Sequence, residues 1–112
     1  MSLPHLTRAL VLEEERLLPD GAGGHQKLWA MLGTHWAEVQ ASTGRDPDGE
    51  ERVLSAVNWR ITLRASPAGS ELRPRPDQRL REGMRIFTIL AVAERDRAGR
   101  YLTCFCREEV LK

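Results

Sequence analysis

Residues 57–64 read VNWRITLR, and the reading of this stretch decides the fold. Val57, Trp59, Ile61 and Leu63 alternate with Asn58, Arg60, Thr62 and Arg64. An unbroken period of two sets one face of a strand against a core and the other in water. Downstream, RIFTILAVA (85–93) is apolar at both parities, with β-branched and aromatic residues, and reads as a strand covered on both faces. The connection RDRAGR (95–100) carries Gly99, suited to a tight hairpin. RYLTCFC (100–106) should therefore return antiparallel, with Leu102, Cys104 and Cys106 on one face. A meander of short strands with long polar loops predicts a small barrel or a sandwich.

The N-terminal half is ambiguous by pattern. Leu28, Leu32, Trp36 and Val39 fall close to helical spacing, which slightly favours a helix over 26–40. Against that, Gly33 in mid-segment would cost a helix about 1 kcal/mol. LTRALVLEEERLL (6–18) fits an amphipathic helix or a strand. Loops are expected at PDGAGGHQ (19–26), ASTGRDPDGEER (41–52) and ASPAGSELRPRPDQR (65–79), where Gly, Pro, Asp and Ser cluster. No internal repeat is visible.

A chain of 112 residues makes one domain, 1–112, with a modest core. A formal charge of +1 argues against a dedicated duplex-DNA binder, which usually carries a basic excess. Lys27 and Lys112 are the only lysines, so the basic charge is almost all arginine, from fork-type contact chemistry or a GC-rich genome. Leu10-Val11-Leu12 is too short for a signal-peptide core, and no run approaches the ~20 apolar residues of a membrane span. The expectation is a soluble protein that starts life in a reducing cytoplasm, without membrane contact and without disulfides.

Candidate chemistry is thin. Cys104 and Cys106 form a C-x-C on a strand, but a metal site needs a second pair or suitably spaced histidines. His5, His25 and His35 fall in three different segments, so both cysteines are expected to pack as small core residues, with no metal and no cofactor. Asp20-Gly21-Ala22-Gly23-Gly24 lacks the Lys-Ser/Thr of a phosphate loop and reads as a hairpin connection. Glu13, Glu14 and Glu15 read as a solvated edge. No nucleophile context appears, and no catalytic residue is assigned. Arg73, Arg75, Arg79 and Arg81 form the local basic cluster, either gripping phosphate or an acidic neighbour or simply solvated. In residues 44–52, two arginines (Arg45, Arg52) face four carboxylates (Asp46, Asp48, Glu50, Glu51), leaving about −2, a loop that repels a phosphate backbone.

Taken in order, several short motifs resemble the head–tail joining family of long-tailed phages, the small head-closure or stopper proteins. They are Trp29 with Trp36-Ala37 seven residues on, Gly44-Arg45-Asp46, the alternating strand ending at Arg64, the run from Gly83 to Ile89 before a final hairpin, and Cys106-Arg107-Glu108. The match spans about residues 6–109. Departures are RALVLEEE in place of an Arg-Ile-Thr-Ile type first strand, and an acidic PDGEE after Asp46.

The resemblance implies a mainly β fold, a small antiparallel β-barrel of about six strands with long loops. Residues 26–40 would then be a strand, bulged near Gly33. It implies a homo-oligomeric ring of about six or twelve copies in the neck of a phage or gene-transfer-agent virion. The adaptor or portal ring would lie above, the tail terminator or tail tube below, and packaged double-stranded DNA would pass through. The loop bearing Arg45, Asp46, Asp48, Gly49, Glu50, Glu51 and Arg52 would face the channel. Arg73, Arg75, Arg79 and Arg81 would contact a partner, and Phe87, Ile89 and Ala91 would form the subunit interface. The alternatives are a nucleic-acid-binding barrel of the OB type, a tail-terminator ring protein, and a small metal or redox protein using the two cysteines.

Overall fold

The computed structural model describes residues 3–42 and 58–109. Six strands form there: β1 (Arg8–Pro19), β2 (His25–Ala41), β3 (Asn58–Arg64), β4 (Arg79–Glu82), β5 (Arg85–Glu94) and β6 (Tyr101–Glu108). They close into a barrel in the order β1-β2-β3-β6-β5-β4, every neighbouring pair antiparallel. Closure between β1 and β4 runs only from Val11 to Glu13, opposite Arg81 to Arg79. A closed sheet leaves no edge along the stretch where all six strands meet.

In residues 58–64 the alternation survives except at Thr62, which is expected in water but is only 4% exposed. Ile61 and Leu63 are buried, Trp59 packs partly against the core, and Arg60 and Arg64 are exposed. Every strand sends side chains inward, giving a core of Leu10, Leu12, Ala37, Ile61, Leu63, Leu80, Phe87, Ile89, Leu102, Cys104 and Cys106. Each large aliphatic or aromatic member contributes roughly 1.5–3 kcal/mol by leaving water. Trp59 meets Phe87 edge to face at 6.1 Å.

Residues 26–40 are strand, as the resemblance implies and against the slight helical pattern, and the misleading period has a local cause. Leu12 pairs with Gly33 but Glu13 pairs with Met31, so Leu32 is an extra residue that bulges β2. The bulge changes which parity faces the core, and the apolar residues on two faces of a bent strand mimic a turn of 3.6. Gly33 is needed at this bend because a Cβ there would lie 2.2 Å from Leu72 Cδ2, in the loop that crosses above. That loop, residues 65–78, is pinned rather than free. The His35 ring Nε2 lies 2.6 Å from the Leu72 carbonyl, Arg73 donates to the Ser66 carbonyl at 2.8 Å, and the Gln78 carbonyl accepts from Ile89 N–H.

Two turns follow from their residues. Between β1 and β2 the Asp20 carboxylate accepts from the N–H groups of Ala22 and Gly24, at 2.8 and 3.0 Å. Between β4 and β5, Gly83 adopts a φ of 59° in a two-residue turn. The sequence pattern marks only the second strand of this hairpin, at 85–93, and the structure adds the first, at Arg79–Glu82.

A second bulge corrects the reading of β5. Ile89 pairs with Cys106 and Ala91 with Phe105, leaving Leu90 unpaired between them. The strand is not covered on both faces: Phe87 and Ile89 point into the core, while Leu90, Ala91 and Ala93 are exposed.

Candidate functional site

Among the described residues no single cleft gathers the expected ones, and the described surface divides into three regions defined by charge and exposure. The first is an arginine clasp on β1 and β4. Because Glu13 stands opposite Arg79 in register, both side chains lie on the same face. The Glu13 carboxylate accepts from Arg79 Nε at 2.7 Å and from Arg81 Nε at 3.1 Å, and the residue is only 5% exposed. The Arg79 guanidinium stacks 4.0 Å from the Trp29 ring, and Arg75 reaches Glu14 at 2.7 Å. The basic cluster of the sequence therefore spends most of its charge on its own chain. Glu13 is not a solvated edge residue. Its pairing was hidden because the partners are some 66 residues apart.

The second region is an ion network over one end of the core. Arg8 donates through Nε to Glu82 at 2.9 Å, and Arg85 forks onto Glu108 at 2.8 and 3.1 Å. The Arg85 guanidinium also lies 5.1 Å from the Trp59 ring and 4.9 Å from that of Phe87, so it covers the aromatic pair. Bonding to Arg8 holds the Glu82 carboxyl below the ordinary carboxylate range, and bonding to Arg85 does the same for Glu108. Both arginines are held still more firmly in their charged form, each chiefly by its own carboxylate partner.

The third region is the outer wall of β3, β6 and β5. Arg60 stands beside Phe105 in register and Asn58 beside Arg107, all exposed. Arg60, Arg64 and Arg107 form no ion pair with any described residue.

The expected site residues fall as follows. Arg45, Asp46, Asp48, Gly49, Glu50, Glu51 and Arg52 lie outside the described residues. Arg75 and Arg73 sit on the 65–78 loop, while Arg79 and Arg81 belong to β4 and the clasp. Phe87 and Ile89 are corrected: they are core residues with no surface left for a neighbour, and only Ala91 of that set is exposed. The bulge at Leu90 divides the set, since residues before and after it point to opposite sides. The exposed Leu90 and Phe105 were missed; Leu90 was hidden in an all-apolar run.

Cys104 and Cys106 are buried free thiols. Burial pushes the Cys104 thiol up to about 12 and Cys106 further in the same direction, so neither is a thiolate at neutral pH. Among the described residues no group of His, Cys, Asp and Glu could hold a metal ion. His35 is buried; loss of water pushes its pKa below 6.5, more than its bond to the Leu72 carbonyl raises it.

A family model for phage head completion proteins matches residues 1–109. A chain in the solved structure "Virion of native gene transfer agent (GTA) particle" is 55% identical, with a TM-score of 0.78, and the likeness covers 98% of this chain and 100% of that one. No curated protein matches.

Proposed function

The chain belongs to the phage head completion protein family, and from that premise we propose that its copies form a ring below the portal that closes the DNA channel and joins head to tail. Its coarse role is head completion, as a structural component of a virion. The observation that carries the finer reading is the likeness, over nearly the whole of both chains, to a component of a gene-transfer-agent virion.

The physical features are those of a part in an assembly. The barrel seals its own core, and the conspicuous surface chemistry is paired charge, unpaired arginine and exposed apolar side chains. In a ring the net charge of residues 44–52 is repeated by every copy. If those loops line the channel, their carboxylates keep the duplex from adhering during passage. Closure then comes from the loops meeting sterically. Neither base reading nor catalysis is required of any residue.

The test is electron microscopy of particles from a strain lacking the gene. Tail-less heads that have lost their DNA, beside free tails of normal length, are expected. Filled particles with tails attached would overturn the reading.

A further inference from the structure

The alternation of β3 turns one of its faces outward, and the barrel order sets β2 and β6 on either side of it. Register fixes which outward residues stand side by side. Arg60 lies between Gln40 and Phe105, and two residues along comes the row of Glu38, Thr62 and Thr103. Two residues further, Arg64 stands opposite Tyr101, and Trp36 adjoins it because Ala37 pairs with Leu63. In the other direction Asn58 pairs with Arg107. The wall thus sets an arginine beside an aromatic ring in two rows about 13 Å apart. A row of hydroxyls lies between them, and Arg107 lies beyond.

These groups are open to a ligand. Trp36 is 59% exposed and Phe105 40%, and the motif Trp36-Ala37 places only its alanine in the core. Arg60, Arg64 and Arg107 are exposed, with no ion-pair partner among the described residues. Elsewhere Arg8, Arg79, Arg81 and Arg85 each bond to a carboxylate of the same chain. The carboxylates of the wall do not cancel its arginines. Glu38 accepts the His5 N–H at 2.8 Å. A cleft of about 340 Å³ is lined by Arg60, Thr62, Thr103 and Phe105, and Glu94 enters it together with Arg95.

Unpaired guanidinium groups attract phosphate, and an exposed ring offers a flat face to an unpaired base. A duplex fits this wall less well, because its bases are stacked inside and leave the rings nothing to meet. A protein partner also fits less well. Protein hot spots gather their anchors in one desolvated centre, whereas the hydroxyl row divides these rings. We propose that the outer wall of β2, β3 and β6 binds single-stranded DNA without sequence preference. Arg60, Arg64 and Arg107 take the phosphates, and Phe105 and Trp36 stack on bases. This activity is additional to head completion and does not depend on ring formation.

Fluorescence titration of the purified full chain with an oligodeoxythymidylate of about 12 nucleotides tests it across a salt series. Tryptophan emission should be quenched saturably, and log K should fall against log salt with a slope of about −2 for three phosphate contacts. Arg60→Ser with Arg107→Ser should reduce the slope to about −0.7. Arg16→Ser with Lys27→Ser, the same loss of charge on the β1–β2 hairpin, should leave it unchanged. Phe105→Ala and Trp36→Ala, both outside the core, should each weaken binding about tenfold by anisotropy of a labelled strand. Absence of binding at low salt would overturn the proposal, as would an equal effect of the hairpin pair. A duplex of the same length bound as tightly as the single strand would leave only a phosphate contact and also overturn it. If no strand binds, yet Arg60→Ser with Arg107→Ser blocks tail attachment in particles, the wall belongs to a protein neighbour. That outcome overturns this inference and leaves the head-completion reading intact.

Discussion

Glu13 shows how one residue changes meaning on folding. In the sequence it is one of three consecutive glutamates, and in the barrel it is the shared acceptor of Arg79 and Arg81. Removing it leaves Arg79, with only 15% of its side chain exposed, short of its counter-charge. Glu13→Ala should cost about 2–3 kcal/mol in urea unfolding, and Glu15→Ala, on a looser exposed pair with Lys27, under about 1 kcal/mol. Gly33 is the second informative residue. Gly33→Ala forces the Leu72 side chain aside, at a cost of about 1 kcal/mol. Because the obstruction is the end of a flexible, half-exposed side chain, Leu72→Ala in the same molecule should recover most of that loss. A double-mutant cycle reads the coupling directly. The glycine was legible in the sequence as an argument against helix. Its packing reason was not, since Leu72 lies far along the chain.

The elements are held to each other by charge as well as by the core. Arg8–Glu82 ties β1 to β4, and Arg85–Glu108 ties β5 to β6. Both carboxyl pKa values are depressed in the folded chain, so the unfolded chain takes up protons first as the pH falls. Their contribution is complete above about 4.5, the ordinary glutamate value, and is lost as the pH drops below it. His35 acts in the same direction but higher. Its folded pKa lies below 6.5, so stability begins to fall once the pH passes below 6.5. The urea midpoint should therefore decline in two stages on acidification. His35→Gln should flatten the upper stage and leave the lower one. The bulges are the other lesson at this scale. VNWRITLR could be read because no extra residue interrupts it, whereas β2 and β5 each carry one, at Leu32 and Leu90. A single inserted residue turns the following side chains over, and nothing local marks the place.

At the scale of the whole molecule, the two cysteines report on the core. Both are buried on β6, and their raised pKa values leave almost no thiolate at neutral pH. A disulfide reagent at neutral pH should therefore label them only through opening of the barrel. The two thiols should react at the same rate, and urea should accelerate both in parallel with global unfolding. Fast labelling of one in the folded protein would show local opening of β6. The same burial places this C-x-C pair among the packed residues of the core. The outer end of the β1–β2 hairpin is the molecule's remaining open feature, an apolar ribbon outside the sealed barrel.

The sequence alone determined the β class, the turns at Asp20 and Gly99, the inward set Leu102, Cys104 and Cys106, and a whole-chain family likeness. These depend on local period, turn chemistry and the order of motifs along the chain. Only the tertiary structure decided between the helical pattern and the implied strand over residues 26–40, that Glu13 is clasped, and that Phe87 and Ile89 are core while Leu90 faces outward. Those outcomes depend on which strands become neighbours and where a bulge shifts the register. Pairing across a barrel brings together residues that the linear order keeps apart.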